Sequence, residues 1–104
     1  MKINNFFNFK NKVILITGCN GQLGHDISNF FLDLGSIVYG IDISNNQKIK
    51  NPNFFFKKAD ISKHKNVENF LKKIFKDNNK LDIIINNAAK SFFTPFYKRT
   101  KKQI

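Results

Sequence analysis

The sequence predicts an α/β fold: a doubly wound parallel sheet with helices on both of its faces. Short apolar runs recur along the chain, and amphipathic segments with helical spacing separate them. Three glycines with the spacing G-x-x-G-x-x-G join the first apolar run to the first amphipathic segment. The order of strand, glycine turn and helix is the start of a βαβ unit, which requires a parallel sheet.

The first strand is predicted at Val13-Ile14-Leu15-Ile16, four apolar residues that are too few for a helix and suit a strand buried on both faces. A helix is predicted after the glycines because apolar residues recur there at helical spacing: Leu23, Ile27, Phe30, Phe31 and Leu34. Gly35 ends it.

The three glycines predict a turn that cradles phosphates. Gly18 permits the tight turn, Gly21 lets the backbone approach a pyrophosphate, and Gly24 lets the helix pack close to the strand. The backbone N–H groups and the positive end of the following helix face the same place. We therefore expect a dinucleotide to bind at this turn.

The second strand, Ile37 to Ile41, ends at Asp42, about twenty residues after the glycines. An acid at this position accepts hydrogen bonds from the ribose hydroxyls of adenosine. Its charge repels a 2′-phosphate, and Asn20 stands where a Lys or Arg favours one, so we expect NAD rather than NADP. The alternative is that Asp42 only caps the turn that follows.

The rest of the chain continues the alternation. Residues 44–52 are polar and predict a loop, and Phe54-Phe55-Phe56 predicts a third strand. A second helix has an apolar face made of Val67, Phe70, Leu71, Ile74 and Phe75. Ile83-Ile84-Ile85 is the fourth strand, and the expected Rossmann-like order is 3-2-1-4.

Composition limits the class of protein. The 104 residues, 41% of them hydrophobic, suit one domain over residues 1–104. The chain has no long apolar run or signal-peptide core, so no membrane partner and a cytoplasmic location are expected. The net charge of +11 raises nucleic acid as a partner, but lysines scattered among Asn, Ile and Phe favour a solvated basic surface and no nucleic acid.

The fourth strand leads into Asn86-Asn87-Ala88-Ala89. Together with the segment from Thr17 to Gly24, Asp42 and Asp60-Ile61, this motif resembles the short-chain dehydrogenase/reductase family over Lys12 to about Ile104. The resemblance implies a role for each matching residue. The diphosphate turn is Thr17, Gly18, Asn20, Gly21, Gln22, Leu23 and Gly24. Asp42 is the acid that selects NAD, Asp60 and Ile61 contact adenine, and Asn87, Ala88 and Ala89 lie beside the cofactor.

The resemblance combines two branches of the family. The glycine spacing is similar to that of the extended, sugar-nucleotide branch, whereas Asn-Asn-Ala is typical of the smaller branch, and Ala89 replaces the usual glycine. The mixed pattern is similar to dehydrogenases that modify sugars for bacterial surface glycans.

The resemblance implies an oxidoreductase that transfers hydride between a nicotinamide cofactor and a hydroxyl or carbonyl substrate. Family members use a Ser and a Tyr-x-x-x-Lys further along. Tyr97 and Lys101 form that pattern too close to Asn86, which favours coincidence. We therefore expect a truncated chain, inactive alone, with no catalytic residue, and a homo-oligomer for the full-length form. The alternative is a non-catalytic nucleotide-binding module.

Cysteine and histidine are two further side-chain types that can carry chemistry. Cys19 follows the first strand, where a helix dipole can lower a thiol pKa, but a tolerated small residue is the favoured interpretation. His25 and His64 lack partners at metal-ligand spacing, so no metal site is expected.

Overall fold

A computed structural model of the chain describes residues 8–88, which contain four strands and two helices. The elements in chain order are β1 (Val13–Thr17), α1 (Gln22–Asp33), β2 (Ile37–Asp42), β3 (Phe54–Lys58), α2 (His64–Asn78) and β4 (Ile83–Asn86). Every predicted element is present, with its bounds shifted by no more than a few residues. The predictions for Ala89, Tyr97 and Lys101 lie outside the described residues.

The strands form one parallel sheet in the order β3-β2-β1-β4, which confirms the predicted order. Thr17, the last residue of β1, pairs with Ile41 on one side and with Asn86 on the other. The carboxyl ends of three strands therefore meet at one edge of the sheet. Ligands of open α/β sheets bind at this edge, where the strand order reverses about β1.

Each face of the sheet has its own apolar core. On the α1 face, Ile14, Ile16 and Val38 are fully buried, and Ile27 and Phe31 of the helix pack against their cluster. The other face carries the α2 core, whose buried members are Val13, Leu15, Tyr39, Ile41, Phe70 and Ile74. Helices thus cover both faces, as the doubly wound architecture requires.

The predicted apolar face of α1 is partly wrong. Leu23 and Phe30 are 61% and 55% exposed, whereas the buried side is made of Gly24, Ser28 and Leu32. The glycine turn fixes how α1 is rotated about its own axis. This rotation places two small residues, Gly24 and Ser28, toward the sheet. The Ser28 hydroxyl is satisfied within the helix, since it donates to the Gly24 carbonyl oxygen at 2.7 Å.

The predicted face of α2 also needs one correction, because Phe75 is about half exposed while Phe70 and Ile74 are buried. On β4, Ile84 is 60% exposed, and β4 has a strand neighbour on one side only among residues 8–88. Neither helix in this part of the chain has the length and apolar content of a membrane-spanning segment.

Candidate functional site

The first glycine makes the turn at the end of β1. Gly18 has a φ of +67°, which L side chains rarely adopt. Its N–H donates to the Ile41 carbonyl oxygen at 2.8 Å, so the turn is tied to the end of β2. A Cβ at Gly18 would lie 3.0 Å from the Cα of Ala88. The position therefore requires glycine for both its backbone conformation and its contact with the segment after β4.

The other two glycines differ in what surrounds them. A Cβ at Gly24 would overlap the Gly18 carbonyl oxygen and lie 2.8 Å from Asn87 Nδ2. A Cβ at Gly21 would meet only the Gly18 oxygen, at 3.6 Å, an ordinary contact. Gly24 is thus needed for close packing, whereas Gly21 is exposed and leaves open space above the start of α1.

Polar side chains tie the ends of β1 and β4 together beneath the turn. The Thr17 hydroxyl donates to Asn86 Oδ1 at 2.9 Å and accepts from the Ala88 N–H at 3.1 Å. Asn87 Nδ2 donates to the Gly18 carbonyl oxygen at 3.1 Å. These bonds give Thr17 and Asn87 a supporting role in the geometry of the turn.

Asp42 lies beside the glycine turn. Its Oδ2 accepts from the Asn20 N–H at 2.9 Å, and its Oδ1 accepts from the Ser44 N–H at 2.8 Å. The bond to Ser44 is the turn-capping interaction considered from the sequence. A carboxylate offers about four acceptor positions, so about two remain after these bonds. Capping and a role in binding are therefore compatible.

A cavity of about 520 Å³ lies over the turn. Its lining combines predicted site residues with one residue that was not predicted, Ile43: Gly18, Gly21, Gln22, Leu23, Asp42, Ile43, Asn87 and Ala88. Leu23 lies in this lining, which explains why its side chain is exposed although it belongs to α1. The structure thus brings the glycine turn, the acid of β2 and the end of β4 around one space.

A second cavity of about 200 Å³ shares Gly18, Asp42, Ile43 and Ala88 with the first and extends to Asp60 and Ile61. Asp60 Oδ1 accepts from the backbone N–H and the hydroxyl of Ser62, at 2.9 and 2.8 Å. These hydrogen bonds hold the pKa of the Asp60 carboxyl below its usual value. The predicted adenine-contact residues therefore adjoin the predicted ribose acid.

Several residues of these two cavities were not predicted from the sequence. Ile43 is 67% exposed and lines both, while Ala59 and Ser62 line the second. Ile43 could have been identified as a site residue from its place in the sequence, because it directly follows Asp42, the acid at the end of β2. Ser62 stands two residues after Asp60, the spacing of an Asx turn, so this spacing could have indicated their contact.

Cys19 is buried, and the structure supports the favoured interpretation of a small packing residue. Burial, with a contribution from the Asp42 charge, raises the pKa of its thiol to about 12. Its Sγ would lie 2.6 Å from a Cβ at Gly40, which shows how closely the thiol packs on β2. Among residues 8–88, no three His, Cys, Asp or Glu residues are grouped as metal ligands.

Comparisons with known proteins agree with this geometry. The sequence model of the short chain dehydrogenase family matches residues 12–104. An uncharacterized oxidoreductase of Schizosaccharomyces pombe is 35% identical over 85 residues, 82% of this chain and 33% of that protein. The bifunctional polymyxin resistance protein ArnA of Wigglesworthia glossinidia brevipalpis is 44% identical over 88 residues, 80% of this chain and 12% of that protein.

Solved structures show the same fold. A short chain dehydrogenase of Leptospira borgpetersenii with bound NAD+ superposes with a TM-score of 0.71 at 30% identity, over 83% of this chain and 35% of that one. The 3-ketoacyl-(acyl-carrier-protein) reductase of Brucella melitensis, complexed with NADH, gives 0.66 at 25% identity over 73% and 34%. The chain spans about a third or less of the two curated relatives named above. From the glycine turn, the strand order and the family match over residues 12–104, the chain belongs to the short-chain dehydrogenase family.

Proposed function

We propose that this chain binds NAD as the cofactor-binding part of a short-chain oxidoreductase. The observation that carries the proposal is the position of Asp42, whose carboxylate adjoins both cavities and keeps about two acceptor positions beyond its two backbone bonds. Two acceptor positions match the two vicinal hydroxyls of the adenosine ribose. The acid is thus suited to recognise a ribose that carries no 2′-phosphate.

The start of α1 fits a diphosphate. Its N-cap is Gly21, no side chain among the described residues caps it, and its first turn carries no acidic residue. The first N–H groups of a helix lack partners within the helix, and its dipole favours an anion there. The N–H groups of Gln22 and Leu23 would hold the phosphates, and Gly21, whose own N–H donates to the Gly18 carbonyl oxygen, would let them approach because it has no Cβ.

The second cavity would hold the adenine. Ile41, Ile43, Ala59 and Ile61 supply apolar surface for a planar ring, and Asp60 supplies a polar group at its edge. The first cavity, about 520 Å³, would take the ribose and the diphosphate. The segment Asn87, Ala88 and Ala89 would flank the rest of the cofactor, in keeping with the family resemblance.

When bound, the nicotinamide would accept hydride from, or donate it to, a hydroxyl or carbonyl substrate. The residues of this chain bind and orient that cofactor, and the 104 residues alone are proposed to have no turnover. A sugar-derived substrate is supported by a further relative, 2-dehydro-3-deoxy-D-gluconate 5-dehydrogenase of Pseudoalteromonas atlantica, 29% identical over 92 residues. The cytoplasmic location and the homo-oligomer of the full-length form stay predictions.

The test is titration calorimetry with NADH and NADPH. We expect the chain to bind NADH at least about tenfold more tightly than NADPH, because a carboxylate at Asp42 repels a 2′-phosphate and tenfold corresponds to about 1.4 kcal/mol. In Asp42→Asn, loss of a charged acceptor should weaken NADH binding by roughly tenfold or more and remove most of the preference.

Asp33→Asn is the matched control, because Asp33 is an exposed acid at the far end of α1. It changes the net charge equally and should leave both affinities within about twofold, a negligible free-energy change. An NADH preference that survives Asp42→Asn would remove Asp42 from the site. Binding without turnover in the longest natural form of the protein would favour the non-catalytic nucleotide-binding module.

A further inference from the structure

We propose that the Asn20 side chain is a positioning residue: it clasps the glycine turn to the loop after β2 and thereby holds Asp42 in place for the ribose. The inference rests on the proposed function and identifies what makes Asp42 selective. It concerns a residue that touches the loop rather than the ribose.

Three hydrogen bonds form the clasp. Asn20 Nδ2 donates to the Ser44 carbonyl oxygen at 2.8 Å. The Asn20 N–H and the Ser44 N–H donate to the two oxygens of Asp42, at 2.9 and 2.8 Å. The three bonds enclose the carboxylate between two chain segments, and the side-chain amide of Asn20 links those segments without passing through Asp42.

The clasp matters because the stretch of loop that it holds lies outside the core, and the next anchor of the loop is the buried Ile49. From Ile43 to Asn46 every residue is exposed, and the loop has no helix or strand before β3 begins at Phe54. Ser44 supplies one of the two donors that orient Asp42. Without the amide of Asn20, the position of that donor depends on the end of β2 and on the loop itself, where the Asn46 N–H donates to Ser44 Oγ at 3.1 Å, and the carboxylate gains rotational freedom.

The surroundings of Asn20 show why a loose carboxylate would alter selectivity. Asn20 also lines a polar cavity of about 250 Å³ together with Lys48, whose charge can attract a phosphate, and with His25 and Asp26, which lie 3.8 Å apart. Discrimination against a 2′-phosphate therefore depends on holding the Asp42 charge in position between the glycine turn and the loop.

The residue type at position 20 suits this task. An amide donates to a backbone carbonyl without adding charge, whereas Lys or Arg would also donate but would attract a 2′-phosphate. Asp has the same shape as Asn but lacks the donor. The pair Asn20→Ala and Asn20→Asp thus removes the donor in two ways, and both keep the backbone N–H that bonds Asp42.

The experiment compares ADP with 2′-deoxy-ADP by titration calorimetry on the purified 104-residue chain. The two probes differ only in the 2′-hydroxyl, one of the two ribose hydroxyls from which Asp42 would accept a hydrogen bond. We expect the parent chain to prefer ADP by about tenfold, the equivalent of one charge-assisted hydrogen bond. In both Asn20 variants the ADP preference should fall to about threefold or less, and in Asn20→Ala the affinity for 2′-deoxy-ADP should change by less than about twofold.

The matched control is Asn46→Ala. Asn46 is an exposed Asn that lines the same polar cavity, and no hydrogen bond of its side chain is present among residues 8–88. It should keep the parent preference. Far-UV circular dichroism confirms that each variant is folded, and Asn20→Asp replaces Asn20→Ala if the latter is not.

The possible results distinguish a failure of the clasp from a failure of the proposed function. A parent chain that prefers ADP, with Asn20 variants that keep the full preference, overturns the clasp and leaves the proposed function intact. Equal weakening of both probes by Asn20→Ala also overturns it, because a purely structural role would act on both. A parent chain that binds neither ADP nor NADH overturns the proposed function and the clasp together.

Discussion

Gly24 offers the sharpest test of the packing that forms the site, because its substitution by alanine must move backbone. A methyl group there would overlap the Gly18 carbonyl oxygen and lie 2.9 Å from the Cα of Cys19. That oxygen accepts from the Gly21 N–H at 3.2 Å and from Asn87 Nδ2 at 3.1 Å. It therefore cannot give way without weakening both bonds.

The magnitude follows from these contacts. Overpacking against backbone costs about 1–3 kcal/mol, and each of the two weakened hydrogen bonds is worth about 1 kcal/mol. Alanine is favoured over glycine within a helix by about 1 kcal/mol, which acts in the opposite direction. We expect Gly24→Ala to lower the free energy of unfolding by about 2–4 kcal/mol, a large part of the stability of a small domain.

Gly21→Ala is the matched variant in the same turn. Gly21 has φ −72° and ψ 168°, which alanine adopts freely, and the added methyl would meet only one atom, at 3.6 Å. Its cost should stay below about 1 kcal/mol, the difference between glycine and alanine at an N-cap. The methyl would, however, stand where the phosphates approach, so NADH affinity should fall by about tenfold.

The assay is equilibrium unfolding in urea, followed by far-UV circular dichroism because the chain has no Trp. Gly24→Ala should unfold at a clearly lower urea concentration than Gly21→Ala and the parent. Equal midpoints for the two variants would refute the close approach of α1 to the turn. Unchanged NADH affinity in a folded Gly21→Ala variant would refute the proposal that the phosphates bind at the glycine turn.

Two further predictions follow from titratable groups. Because burial raises the pKa of Cys19 to about 12, iodoacetamide should alkylate it at about pH 8 roughly 10³-fold more slowly in the folded chain than in urea; similar rates would contradict its burial. Asp82 accepts from the Val13 N–H at 2.8 Å and pairs with Lys80, and both partners lower its pKa. Its contribution is therefore present above the unfolded pKa of about 3.9 and is lost as pH falls through the lower folded pKa. Asp82→Asn should lower stability in urea at about pH 6 and lose that effect on acidification, whereas a constant difference would exclude titration of Asp82 as its cause.

Local patterns were sufficient for the fold. Apolar runs such as Val13 to Ile16, the glycines and the stop at Gly35 predicted the elements and their order, and the family resemblance predicted from the residues is confirmed by the match over residues 12–104. Each of these signals depends on residues close together in sequence, which is why a single chain reveals them.

The faces of the helices were less predictable. Leu23, Phe30 and Phe75 have helical spacing but are exposed, whereas Gly24 and Ser28 are buried. The spacing of apolar residues is sufficient to identify a helix. The side of the helix that meets the sheet depends instead on how its first turn leaves the preceding strand. In α1 the rotation of the helix is set by Gly24 against the Gly18 carbonyl oxygen.

The sequence by itself determined the parallel sheet, the glycine turn and the acid about twenty residues beyond it, because propensity and spacing along the chain encode these features. Only the tertiary structure showed that Asn20 and Ser44 enclose Asp42 and that Ile43 and Ser62 line the cavities. The hydrogen bonds of Asn20 alone join segments up to 24 residues apart. Their geometry depends on the register of β1 against β2, which no local pattern records.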